Sequence, residues 1–253
     1  MHFNFKKTQP DSKQTTSYFK AIAAIGIGLS LCTQSIFAKE KDMLSTQQQN
    51  IIPVAAFTAN GDITALKQAI GKGLDAGLSI NQIREVLIQM YAYVGFPRSL
   101  NGINAMVEVL DERKAQGIKD TVGQDATPLP KDTDINAKGN QTRNDIFKTD
   151  LTHNQAAYAQ FAPMIDVYLK EHLFGDIFAR DVLDYQQREL ATVAALAAIS
   201  GTDAQLKGHL NASMNVGLTP EQLDAFAQIM RQAVSPESGQ RIETLLAEIE
   251  ASR

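Results

Sequence analysis

The chain has 253 residues, 44% of them apolar and 21% charged, the balance of a folded globular protein long enough for two domains. Its formal charge is −4, with no basic block to face phosphates, which excludes nucleic acid as a partner. A single cysteine, Cys32, bars a disulfide framework and any cysteine-cluster metal site.

Residues 1–38 read as an export signal. Lys6, Lys7, Lys13 and Lys20 make a cationic leader, Ala21 to Leu31 is an apolar run, and TQSIFA ends at Ala38. The run is too short to span about 30 Å of bilayer as a helix. Cleavage is therefore expected rather than anchoring, with a periplasmic or secreted mature protein that is off the membrane. Cys32 lies inside this segment, so the mature chain is expected to carry no thiol. Lys39–Asp42 is a charged linker.

Residues 44–115 read as a first unit of four helices. Ser45 or Thr46 caps the first, where Ile52, Ala55 and Ala56 face inward and Pro53 is expected to kink the helix. The second starts at Asp62, carries Leu66, Ile70 and Leu74 on one face, and ends before Gly77, suited to a left-handed turn. Ser79-x-x-Gln82 is a capping box for a third helix with Ile83, Leu87, Met90 and Val94 inward. Gly95-Phe96-Pro97 breaks the pattern, and Leu100, Ile103, Val107 and Leu110 carry the fourth helix.

Residues 116–140 are rich in Gly, Pro, Asp, Thr and Lys without periodicity, the composition of an exposed connector. Residues 141–253 form the second unit. Phe161, Ile165, Leu169 and Leu173 mark a helix that Gly175 is expected to interrupt. Leu190, Val193, Ala194 and Ala197 face inward on the next helix, and Leu206, Leu210 and Met214 on the one after it. Thr219-Pro220-x-Gln222 combines a capping box with proline at the first helical position. Leu223, Phe226 and Met230, then Ile242, Leu245 and Ile249, finish the bundle. No segment alternates with period two, so the predicted fold is all-α.

The two units repeat each other. Aligned on Gly77 and Gly217, they share Gly61/Gly201, Leu66-Lys67/Leu206-Lys207 and Gly77-Leu78/Gly217-Leu218, and one inserted residue restores Val54/Val193 and Leu44/Leu183. The period, about 140 residues, is that of a duplicated domain, since solenoid units recur every 20–50.

The second unit holds most of the acid–base equipment. His209 borders the apolar stripe of its helix, where an imidazole can shuttle protons near neutral pH and is equally able to be a hydrogen-bonded core residue. Glu189 borders the buried face of the preceding helix, and reads either as a partner for chemistry or, with Arg188, as a solvated charge pair. Arg180 and Arg188 are candidates to bind substrate carboxylate through their bidentate guanidinium. Glu171 and His172 stand before Phe174-Gly175, as a further binding pair or as the close of a helix; His153 reads as turn surface. The histidines lack HExxH-like spacing, and no metal or cofactor is expected. In the first repeat Asn50 and Ala69 stand where Glu189 and His209 would, so at most one such site exists per chain.

RELATVAALAA and QLKGHLNASMNVGLTPEQL, with LKQAIGKGLDAGLSINQIREVLIQMYAYVGFPRSLNGINAMVEV in the first repeat, resemble the carboxymuconolactone decarboxylase family, which includes the alkylhydroperoxidase D proteins. GNQTRNDIF and FGDIFARDVLDYQQREL resemble its decarboxylase branch. The resemblance implies tandem alkylhydroperoxidase D-like bundles, with Glu189 and His209 approaching each other. It also implies proton delivery to a small carboxylated lactone or related acid, and a homo-oligomer, a trimer of tandem chains being favoured. The peroxidase branch carries a cysteine pair before its histidine. Aligned on His209, those positions are Thr202 and Gln205, so thiol peroxidase activity is not expected. The other reading is a non-catalytic oligomer that binds a small ligand or a partner protein.

Overall fold

The computed structural model describes residues 43–252; the expected export segment, Cys32 and the charged linker lie outside the described residues. Among the described residues there are ten α-helices, one π-helical segment and no strand.

α1 (Thr46–Asn60) starts where the Ser45 hydroxyl accepts from the Gln48 N–H and the Gln48 side chain accepts from the Ser45 N–H. It continues through Pro53 and closes on Gly61 at φ 84°. α2 (Ile63–Asp75) is capped by Asp62, and Gly77 at φ 90° turns the chain back. α3 (Ile80–Ala115) opens with the Ser79–Gln82 box and is split at Gly95, whose φ of 77° and ψ of 164° belong to a backbone region essentially open only to glycine. An exposed connector follows, but its last residues already belong to α4 (Ile135–Phe147), a helix the aperiodic composition hid.

The expected helix through Phe161 and Ile165 is broken earlier than Gly175. α5 (Ala157–Phe161) stops at Ala162, α6 (Pro163–Tyr168) restarts on proline, and a π-helical segment, Leu169–Ile177, runs through Gly175 without interruption. Phe161 is 94% exposed, so it does not belong to the core. Gly175 is needed for approach rather than for a break. A Cβ there would lie 2.9 Å from the Ile135 carbonyl oxygen, and one on Gly139 would lie 1.8 Å from the Lys170 carbonyl oxygen. α4 and the π segment therefore pack backbone to backbone.

α7 (Tyr185–Ala197), α8 (Asp203–Asn215), α9 (Pro220–Ala233) and α10 (Pro236–Ala251) reproduce α1, α2 and the two segments of α3. α7 is buried on every side from Arg188 to Ala197 and packs along α1, its counterpart in the other repeat. The buried residues of both repeats form one continuous core, with Ile51, Ile52, Leu66, Leu87, Leu190, Leu206 and Phe226 fully inside. Each such side chain contributes about 1.5–3 kcal/mol on leaving water. On the second segment of α3 the inward face is Gly102, Ala105, Met106 and Val109, whereas Leu100 and Val107, expected inside, are exposed. Gly102 sets that register: a Cβ there would come within 3.0 Å of Leu87, so this face is the one that can pack closely. A smaller cluster of Ile146, Leu173, Phe174, Ile177, Phe178 and Ala212 joins α4, the π segment and α8, and it walls the site described next.

Candidate functional site

α7 begins at Asp184, whose carboxylate accepts from the Gln187 N–H, and this start places Glu189 in the helix's second turn on a fully buried face. From α8, His209 reaches it: Nδ1 lies 2.8 Å from Glu189 Oε2. The other carboxylate oxygen, Oε1, is buried and has no hydrogen-bond partner among the described residues. The imidazole is wedged edge-on between two rings, Tyr93 at 5.9 Å and Phe147 at 5.6 Å. A carboxylate on Nδ1 fixes the tautomer and orientation of the ring, leaving Nε2 for chemistry. Beside it the Tyr93 hydroxyl is buried without a settled donor or acceptor, and burial first, then the Glu189 carboxylate, pushes its ionisation well above the ordinary tyrosine range.

His209 lines a cavity of about 550 Å³, within the range of small-molecule sites. Its walls are chiefly apolar: Phe147 from α4, Leu169, Leu173 and Phe174 from the π segment, Leu196 from α7, and Tyr93 from the first repeat. Thr202 and Gln205 line it too, so the cavity holds a hydroxyl and an amide where the peroxidase branch holds thiols. A somewhat larger surface groove between α8 and α10, about 590 Å³, has both its cations paired, as Arg241–Asp203 and Lys207–Glu248, and contains no histidine–carboxylate pair.

The structure brings Glu189 and His209 together and places the other four candidates elsewhere. Arg180 grips Glu85 of α3 through Nε and Nη2, at 2.8 and 2.7 Å. Arg188, fully buried, approaches the same carboxylate at 3.4 Å and donates to Gln89 Oε1 at 3.0 Å and to the Arg180 carbonyl at 2.8 Å. Gln89 in turn donates to the Arg188 carbonyl and to Thr192 Oγ1, each at 2.9 Å. Burial acts to raise the Glu85 ionisation, but the two guanidiniums outweigh it and hold the carboxyl below its ordinary value. Burial likewise pushes Arg188 downward, against the pull of Glu85. These arginines join the repeats and do not line the cavity. The His172 ring bonds Asp176 at 2.8 Å in a half-exposed position, and Glu171 accepts from Asn136 at 2.9 Å; neither lines the cavity. His153 is exposed.

Arg143 on α4 is the cation the sequence reading passed over. It lines the cavity while only 3% exposed, and Nη1 donates to Asp166 at 3.0 Å. Nη2 bonds the Leu151 carbonyl, and Nε has no acceptor among the described residues. Its one sequence signal was its place four residues before Phe147, in a stretch too polar to declare a helix. Among the described residues no group of three or more His, Cys, Asp or Glu side chains could hold a metal ion, and no helix is long and apolar enough to cross a membrane.

Both repeats match the model of the carboxymuconolactone decarboxylase family, over residues 30–108 and 167–251, the first match beginning inside the expected export segment. Peroxisomal protein 2 of Saccharomyces cerevisiae is 24% identical over 164 residues, 57% of this chain and 57% of that protein, so the chain spans little more than half of that relative. An uncharacterized protein of Methanocaldococcus jannaschii is 24% identical over 101 residues, 40% of this chain and 86% of that one. Two matched segments on two copies of one helical unit make this chain a member of the carboxymuconolactone decarboxylase family.

Proposed function

We propose that this chain performs cofactor-independent acid–base chemistry on a small organic acid, of which a carboxylated lactone is the type the family name suggests. The observation that carries this reading is the 2.8 Å contact between His209 and a fully buried Glu189 at the wall of a ligand-sized cavity. In a decarboxylation the bond from the ring carbon to the carboxylate carbon breaks and its electron pair passes into the enolate of the lactone. The imidazolium of His209 delivers its Nε2 proton to the nucleophilic carbon of that enolate once carbon dioxide has left, and solvent restores the proton. Glu189 steadies the cationic ring before transfer.

The test is carbon dioxide release from γ-carboxymuconolactone, and from a lactone bearing one carboxylate, by the wild type and His209→Ala. Loss of about 10²–10⁴-fold in the variant is expected for a general acid. A folded protein with no turnover on either compound would favour the second reading, a non-catalytic binder of small ligands or a partner protein, which the apolar lining supports.

The chain is further proposed to form a homo-oligomer, a trimer in the first instance. Supporting this are exposed apolar side chains on α3 (Phe96, Leu100, Val107) and on α5–α6 (Phe161, Met164). Light scattering that returns a monomer would end that proposal. Export to the periplasm rests on the composition of residues 1–38 and is tested by cell fractionation.

A further inference from the structure

Three observations meet at the wall of the cavity that His209 lines. Arg143 is almost wholly buried, lines the cavity, and keeps an Nε–H without an acceptor among the described residues. Its partner Asp166 is shared: Arg143 Nη1 lies 3.0 Å from Oδ1 and Lys170 Nζ lies 3.2 Å from Oδ2. Two cations thus meet one carboxylate, and the cluster keeps a positive charge in excess. Third, Arg143 and Phe147 are four residues apart on α4, on one face and about 6 Å apart along the axis. The Phe147 ring is the one that meets His209 edge-on at 5.6 Å.

We propose, resting on the reading of this cavity as the acid–base site, that Arg143 binds the carboxylate of the ligand and that the ligand is a monoanionic organic acid with an apolar body. A carboxylate drawn to Arg143 places the atoms that follow it one helical turn away, beside His209 Nε2. The body of the ligand then lies along Leu173, Phe174 and Phe147, which offer it no polar partner. A second carboxylate would find no second guanidinium, because Arg180 and Arg188 are both held by Glu85 outside the cavity and the polar groups that line it beyond Arg143 and His209, among them Thr202 and Gln205, are neutral. The diacid lactone implied by the family name is on this account a poorer ligand than a monoacid.

The experiment is calorimetric titration of the full chain with three compounds of equal chain length: octanoate, octanol and suberate. Wild type is expected to bind octanoate about tenfold or more tightly than octanol or suberate, the scale of a charge-assisted hydrogen bond. Arg143→Met should lose that preference for octanoate over octanol, while Arg143→Lys retains part of it. Equal binding of octanol or suberate by the wild type, or no saturation by octanoate at millimolar concentration, overturns the proposal without recourse to a variant that fails to fold. A folded Arg143→Met that binds octanoate as the wild type does overturns it as well. His209→Ala separates the two readings: turnover should be lost, while the preference for octanoate over octanol, which Arg143 supplies, should persist whatever the change in overall affinity. Unchanged turnover in His209→Ala would sink the acid–base reading alone, and absent octanoate selectivity would sink the Arg143 assignment alone.

Discussion

Glu85→Gln is the sharpest perturbation of the join between the repeats. The carboxylate is fully buried on α3 and reaches Arg180 and Arg188, 95 and 103 residues further along the chain. Glutamine keeps the shape and removes the charge. Arg188 would then be left fully buried with neutral acceptors alone: Gln89 Oε1, the Arg180 carbonyl and, at most, the new amide oxygen. Removing one partner of a buried ion pair costs about 3–5 kcal/mol. The side chain of Arg180 is 37% exposed, so solvent screens its loss, which adds only about 0–1 kcal/mol. Urea unfolding of the full chain should therefore show a deficit of about 3–5 kcal/mol at neutral pH. The pH dependence has a definite sign. Because the folded-state carboxyl ionises below its ordinary 4.5, its stabilisation is complete above that pH and fades as the pH falls through the lower folded value. The gap between wild type and variant should accordingly close in acid. A deficit under about 1 kcal/mol at neutral pH, or a gap that is constant into acid, would refute the account of Arg188 as a charge dependent on Glu85.

Gly139→Ala should be costlier than its single methyl suggests, because the new Cβ meets the Lys170 carbonyl oxygen rather than a movable side chain. The melting temperature should fall by the equivalent of about 1–3 kcal/mol or more, and a normal melt would show that α4 can withdraw from the π segment freely. Hydroperoxide reduction driven by a dithiol should be absent, since Thr202 and Gln205 stand in the cavity; turnover above that of heat-denatured protein would contradict this.

The helices were legible where their ends are written in local chemistry. Ser45, Asp62, Ser79 and Thr219 all cap as their spacing required, and Gly77 and Gly217 adopt the positive φ that ends α2 and α8. The Glu189–His209 meeting was legible only through family resemblance, because spacing within one helix says nothing of the distance across two. α4 and the π segment were illegible for a different reason. Their backbones meet at Gly139 and Gly175, and such contact leaves no pattern in the sequence: Gly175 read as a break and Gly139 fell within the expected connector, although Leu169 and Leu173 did read as helical. Arg143 was hidden with them. Arg180 and Arg188 were noticed but misplaced, since the residue that holds them, Glu85, is in the other repeat.

The cavity takes Tyr93 from one repeat and His209 from the other, and α1 lies along α7. Were the halves separate molecules, the site would exist only at concentrations where they meet, and dilution would dissolve it. The connector between α3 and α4 turns that encounter into an intramolecular one, with an effective concentration fixed by its length. The site of this chain should therefore be indifferent to dilution even where any larger assembly is not.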